Sequence, residues 1–179
     1  MIVAPCIGSG RNGSTRAFSL VEVTISVVIV GVMTVAALNT VGAAKLGNQK
    51  TTSRKSGTLL AQQLMAEILT QGYAEPVGAP VFGLEPPESA SLRTDYDDVD
   101  DYDTWSASPP QYKDGTVIPN LDGWARQVSV AWVNATDLSL TSGSETNVKR
   151  ITVNVTYNGA QVASLTAVRT LARDNMENR

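Results

Sequence analysis

Arg16-Ala17-Phe18-Ser19-Leu20-Val21-Glu22 runs without a break into Val23-Thr24-Ile25-Ser26-Val27-Val28-Ile29-Val30, and no further charge appears until Lys45. From Val23 to Ala44 there are about 22 uncharged residues, which as a helix rising about 1.5 Å each span about 33 Å, enough to cross a bilayer. Val and Ile dominate this run and would weaken an isolated helix in water. In lipid, however, every backbone N–H and C=O needs a partner within the segment, and a helix supplies it. The small residues Gly31, Ala36, Ala37, Gly42, Ala43 and Ala44 either allow a second helix to approach closely or are simply compatible with a bilayer. Residues 18–44 therefore read as a transmembrane helix.

The one charge inside this stretch is Glu22. A lone carboxylate facing hydrocarbon costs about 2.5–3.5 kcal/mol at the bilayer centre and less near an end. Two fates are open to it: pairing with a cation in good geometry, or lying at the interface and snorkelling to headgroups. Before it, residues 1–17 contain Arg11, Arg16 and no acidic residue, and read as a cleaved basic leader. An ordinary secretory signal would instead be cut after the apolar core, near Gly42-Ala43-Ala44, making the chain an exported or membrane-anchored binding module. Glu22 interrupts such a core, and the run exceeds the usual length of about 7–15 residues. Cys6 has no apolar run before it, which argues against a lipid attachment site. As the single Cys, lying in the leader, it leaves no thiol chemistry to the rest of the chain.

Ala17-Phe18-Ser19-Leu20-Val21-Glu22, with a short basic leader before it and an unbroken apolar run after it, resembles the cleavage and methylation motif of type IV prepilins and type II secretion pseudopilins. The resemblance implies cleavage of the Ala17–Phe18 bond by a prepilin peptidase on the cytoplasmic side and methylation of the new Phe18 amine. The apolar helix would then stay on the mature protein and pack into a filament. Ala17 stands where the family most often has Gly. Glu22 matches the family's acidic residue, whose implied partner is the N-terminal amine of a neighbouring subunit. That pairing has a physical basis, because a subunit carrying both Glu22 and a free α-amine at Phe18 supplies both halves of an ion pair inside the membrane. The implied location is the bacterial inner membrane, single-pass, with the C-terminal part periplasmic. Counting basic residues alone points the other way, since Lys45, Lys50, Arg54 and Lys55 outnumber the two in the leader.

Residues 45–73 continue the helix. Their first part, 45–58, is polar with Gly47 and Gly57, and reads as a helix of low intrinsic stability or a locally melted one. Leu60, Leu64 and Ile68, flanked by Ala61, Met65 and Leu69, then form an apolar stripe that ends near Gly72. Residues 74–122 are rich in Pro, Gly, Ser and acidic residues, and Pro76, Pro80, Pro86-Pro87, Pro109-Pro110 and Pro119 prevent long regular elements. Within them Asp95, Asp97, Asp98, Asp100, Asp101 and Asp103 place six carboxylates in nine residues. Such clustered hard oxygen donors suit calcium, whose binding would relieve their mutual repulsion. An EF-hand is excluded, because its glycine and terminal Glu are missing. The alternatives are docking of a basic partner surface and a solvated acidic loop. Tyr96, Tyr102 and Trp105 imply that part of this loop packs on the domain.

Residues 123–179 read as an antiparallel β meander. Val128, Val130 and Trp132 alternate along one strand, and Ile151 to Tyr157 alternate along the next. Asn158-Gly159 then predicts a two-residue hairpin into Ala160 to Leu171, pairing Tyr157 with Ala160 and Val155 with Val162. In that register Leu165 turns outward, so either a bulge intervenes or the last strand has mixed faces. The expected class is α+β: a long N-terminal helix, transmembrane in its first half and amphipathic in its second, packed on a three-stranded antiparallel sheet.

The segments Leu60 to Glu67, Trp124 to Val133 and Lys149 to Val155 are similar in order and spacing to the I-type minor pseudopilin of type II secretion systems. The implied partners are other pilin or pseudopilin subunits, the prepilin peptidase and the membrane. The formal net charge is −3. Without Arg11 and Arg16 it falls to about −5, which disfavours nonspecific nucleic-acid binding. The chain has no His, no phosphate-cradling glycine motif and no nucleophile with a recognisable base, so catalysis is not expected.

Overall fold

The computed structural model describes residues 19–76, 81–86, 88–89 and 92–177. The leader, Ala17 and Phe18 lie outside them, as do Pro80 and Pro87. Two compact units emerge, residues 1–47 and 48–179. A single helix, α1, covers Leu20–Ile68.

In the first unit α1 has no core of its own: the side chains described from Ser19 to Lys45 are all exposed, including Val27, Val30, Met33, Leu38 and Val41 at 62–67%. The polar side chains within this stretch are accommodated locally. Thr24 Oγ1 donates to Val21 O at 2.9 Å, Ser26 Oγ to Glu22 O at 2.7 Å, Thr34 Oγ1 to Val30 O at 2.8 Å and Thr40 Oγ1 to Ala36 O at 3.0 Å. Each hydroxyl thus satisfies its donor on the preceding turn, which removes most of the penalty of carrying it into an apolar medium. One helix among the described residues is long and apolar enough to cross a membrane, and it is this one.

The second unit is α+β. Residues 45–58, for which local melting was one expectation, are helical throughout. Ala61, Leu64, Met65 and Ile68 are buried, with Leu60 and Leu69 packed at the margin of the core. This i, i+3, i+4, i+7 set is the helical stripe, and full burial of each large member is worth about 1.5–3 kcal/mol. The helix ends at Ile68. Beyond the following turn Gly72 leaves to pair with the acidic loop, its N–H donating to Asp97 O at 3.2 Å and its C=O accepting from Val99 N at 3.1 Å.

The sheet has four strands, β1 (Ser106–Ala107), β2 (Trp124–Trp132), β3 (Val148–Tyr157) and β4 (Ala160–Thr170), antiparallel in the order β1-β2-β3-β4. The expected three-stranded meander is present, and β1 is an additional edge strand from within the proline-rich segment. Ser106 pairs with Gln127 and Ala107 with Arg126. Two residues carry no periodicity, so nothing in their pattern announces a strand.

Asn158 and Gly159 both have positive φ, 49° and 79°, as a type I′ turn requires. Tyr157 faces Ala160 as expected, but the register shifts between Val155 and Thr156, so that Val155 faces Ala163 instead of Val162. A bulge is therefore the resolution of the misplaced Leu165, which now faces Val153 while Ala167 faces Ile151. The strand also stops one residue short of the expected end. Leu171 opens a short helix, α2 (Leu171–Glu177), whose Asp174 carboxylate accepts from Tyr73 N and pairs with Arg169 at 2.5 Å.

The extra residue of the bulge, Val162, meets Gly57 of α1. A Cβ at Gly57 would lie 2.7 Å from Val162 Cγ2 and 3.3 Å from Ala163 Cβ. Gly57 therefore sets how closely the helix approaches β4. The substitution Gly57→Val is expected to destabilise this unit by about 1–3 kcal/mol through overpacking, despite the better helix propensity of Val. Chemical denaturation of the full chain in detergent, followed by tryptophan fluorescence, measures the loss.

Candidate functional site

Glu22 sits in the first turn of α1, where the unpaired N–H groups and the helix dipole favour a negative charge. It is exposed, and among the described residues it makes no ion pair. Directly after it the chain presents only uncharged side chains as far as Ala44. The combination is one carboxylate at the head of a helical rod that is predominantly apolar and carries no other charge as far as Ala44. Such a rod calls for lipid or other helices around it, and its carboxylate for a cation.

The acidic loop belongs wholly to the second unit, and its six aspartates separate into different roles. Asp95 and Asp97 are exposed. Asp103 Oδ1 accepts from Val130 N at 2.8 Å, anchoring the loop to β2. Asp98 and Asp100, each 1% exposed, flank Lys149, which is 2% exposed. Lys149 Nζ lies 3.6 Å from Asp98 Oδ2, pairs directly with Asp100 Oδ1 and donates to Tyr73 O. Burial, reinforced by Asp100, pushes the Asp98 carboxyl up to about 9. These two aspartates thus hold a buried lysine, and they do not join the other four in a common cation site.

Asp101 faces elsewhere. Its Oδ2 accepts from the amides of Asp97 and Asp98, both at 2.9 Å, and its carboxylate also hydrogen-bonds the Glu88 side chain. One oxygen from Asp101 and one from each of Glu75, Glu85 and Glu88 lie within 4.8 Å of one another. Glu75 follows the end of α1, and Glu85 and Glu88 share a tight turn in which Glu88 N donates to Glu85 O at 2.7 Å. Burial, together with the surrounding carboxylates, pushes Glu75 up to about 8 and Glu88 up to about 7.

The aromatic residues of the loop are core residues. Tyr96, Val99, Tyr102 and Trp105 are buried, with the Tyr96 and Tyr102 rings edge to face at 4.9 Å. Arg93, 1% exposed, lies over Trp105 at 4.1 Å and bonds Glu67 of α1 through Nε at 2.8 Å and Nη2 at 3.3 Å. Tyr102 OH donates to the same Glu67 Oε1 at 3.1 Å. The loop is thereby clamped across the amphipathic part of α1 and the face of the sheet.

The expectations from sequence did not include the buried cations Arg93, Arg126, Lys149 and Arg169 or the contribution of Glu75, Glu85 and Glu88. A signal for two of the cations was present: Arg126 falls in phase with Val128 and Val130, and Lys149 in phase with Ile151, Val153 and Val155, so both point inward. The glutamates are brought together only by the path of the loop. Comparison of the chain with family profiles, with curated proteins and with solved structures finds no match.

Proposed function

We propose that this chain is a structural, prepilin-like subunit, cut at the Ala17–Phe18 bond and assembled through residues 18–44 into a type II secretion pseudopilus or type IV pilus-like filament as a minor component. The observation that carries this reading is Glu22 heading a charge-free helix that is exposed on every side. A rod of that kind gains by lateral association with identical or similar helices, and the association neutralises Glu22 when each neighbour supplies an α-amine. Before assembly the helix stores the subunit in the bacterial inner membrane, with residues 48–179 on the periplasmic side available to contact partner pilins. A prepilin peptidase is the processing partner. No catalytic role is assigned to the chain itself.

Mass spectrometry of the N-terminal peptide from native-host membranes tests the proposal, alongside a Glu22→Ala variant. The expected wild-type product begins at a methylated Phe18 and co-purifies with other pilins. The variant is expected to be processed but to lose at least about tenfold in co-purification, as an unpaired amine in the membrane carries a cost of several kcal/mol. A wild-type chain starting near Lys45, or retaining its leader, sinks the reading and makes residues 18–44 a simple signal or anchor.

A further inference from the structure

We propose that Lys50, Arg54 and Lys55 form a docking surface for the headgroups of anionic phospholipids, which hold the first turns of the second unit at the bilayer. The inference rests on residues 18–44 remaining on the chain as a membrane helix. Asn48, where the second unit begins, is four residues from Ala44, the last of the charge-free run. Four residues reach at most about 14 Å by any path, so the start of this unit stays close to the membrane surface. Lys50, Arg54 and Lys55 lie in its first turns, and all three are exposed. None of them makes an ion pair among the described residues. Between Glu22 and Glu67 the chain has no acidic residue that could neutralise them. Helical side chains point back toward the N-terminus of their helix, which here is the tethered end. The long stems of lysine and arginine therefore carry their charges toward the headgroups.

Lys50 and Arg54, one turn apart, also border a groove of about 380 Å³ between α1 and the β3–β4 hairpin. Ser53, Tyr157 and Gln161 line it with them, and among the described residues no carboxylate does. Two cations beside a hydroxyl, a phenol and an amide match a phosphodiester, which offers a negative charge and several acceptor oxygens together. Lys55 stands about 140° around the helix axis from Lys50, at about 100° per residue, and lies on the other flank with Thr58 and Leu59. Cations on two flanks of one helix suit a layer of headgroups that surrounds it, whereas an acidic protein surface would meet them on one face. Basic residues on a translocated flank run against the usual charge bias, and an anionic lipid surface supplies their counter-charge there.

The test is native mass spectrometry of the full chain released from detergent micelles doped with equal amounts of phosphatidylglycerol and phosphatidylcholine. Every chain carries Arg11→Gln and Arg16→Gln, so that the leader contributes no cation. Phosphatidylglycerol is expected to be retained at least about fivefold over phosphatidylcholine, the factor that one cation near an anionic surface supplies. Adding K50Q/R54Q is expected to lower that preference at least about threefold. Adding K113Q/R173Q instead removes the same charge from the proline-rich segment and α2, and is expected to keep it. Millimolar inorganic phosphate is expected not to displace the lipid. The intact mass in the same spectrum reads where the chain begins. A start near Lys45 refutes the membrane-helix reading and this inference with it; a retained helix without lipid preference overturns this inference alone. It is equally overturned if K113Q/R173Q loses as much preference as K50Q/R54Q, or if inorganic phosphate displaces the lipid, which marks a site for soluble anions. Absence of preference together with lost co-purification of partner pilins in K50Q/R54Q assigns the groove to an acidic protein surface instead.

Discussion

Replacing Lys149 with methionine is expected to destabilise the second unit by about 3–5 kcal/mol, lowering its midpoint by about 10–20 °C, a loss measurable by thermal unfolding of the full chain in detergent. Lys149 stands on β3 in phase with the core residues Ile151, Val153 and Val155, yet its ammonium is 2% exposed. It is tolerated because Asp98 and Asp100 flank it and Tyr73 O accepts one of its protons. The Tyr73 ring lies 4.5 Å from Nζ and supplies a further favourable face. The Asp98 carboxyl, pushed up to about 9 by burial and by Asp100, keeps its proton at neutral pH. The cluster therefore holds one ammonium against one carboxylate, a neutral balance. Methionine fills nearly the same volume but leaves the Asp100 charge buried and Tyr73 O without its donor. Adding Asp100→Asn removes the stranded charge, so the double variant is expected to be less destabilised than the sum of the two single changes. Strict additivity would show that the ammonium and the carboxylate do not interact.

Lys149 also marks where sequence reading stops. The charge-free run, the Leu64–Ile68 stripe, the alternation of β2 and β3 and the Asn158-Gly159 turn are local patterns, and each appears in the fold because the backbone periods of 3.6 and 2 are themselves local. The β4 register was half legible. Leu165 on the wrong face signalled an irregularity, but choosing a bulge at Val162 required knowing that Gly57 of α1 leaves room beneath it. Two-residue β1 and seven-residue α2 are too short to show a period. The six aspartates were visible as charge, whereas their division among Lys149, the amide caps and the β2 anchor depends on contacts 27 to 51 residues away or on the loop's own turns. Phase within a strand was the one usable clue: a lysine or arginine at an inward position needs a distant anion.

The same rule yields an ordering of effects at the other end of the loop. Glu67→Gln is expected to cost about 3–5 kcal/mol, more than Arg93→Met at about 1–3 kcal/mol, although Arg93 is the more deeply buried partner. Two guanidiniums share this region. Arg93 lies over Trp105 at 4.1 Å, and Arg126 lies at 5.8 Å from the same ring. Burial and the charge of Arg93 bring Arg126 down to about 10, while Glu67 opposes that shift. Among the described residues Glu67 is the only carboxylate in an ion pair with either of them. Removing its charge leaves two buried cations repelling each other with only the Gln111 carbonyl, which accepts from both, and the Trp105 ring to hold them. Removing Arg93 instead relieves Arg126, keeps Glu67 bonded by Tyr102 OH at 3.1 Å and exchanges one long side chain for another of similar reach. Urea denaturation followed by tryptophan emission ranks the two variants. If Arg93→Met proves the more damaging, the guanidinium's packing on Trp105 outweighs charge balance, and the loop is held to α1 by stacking more than by the ion pair.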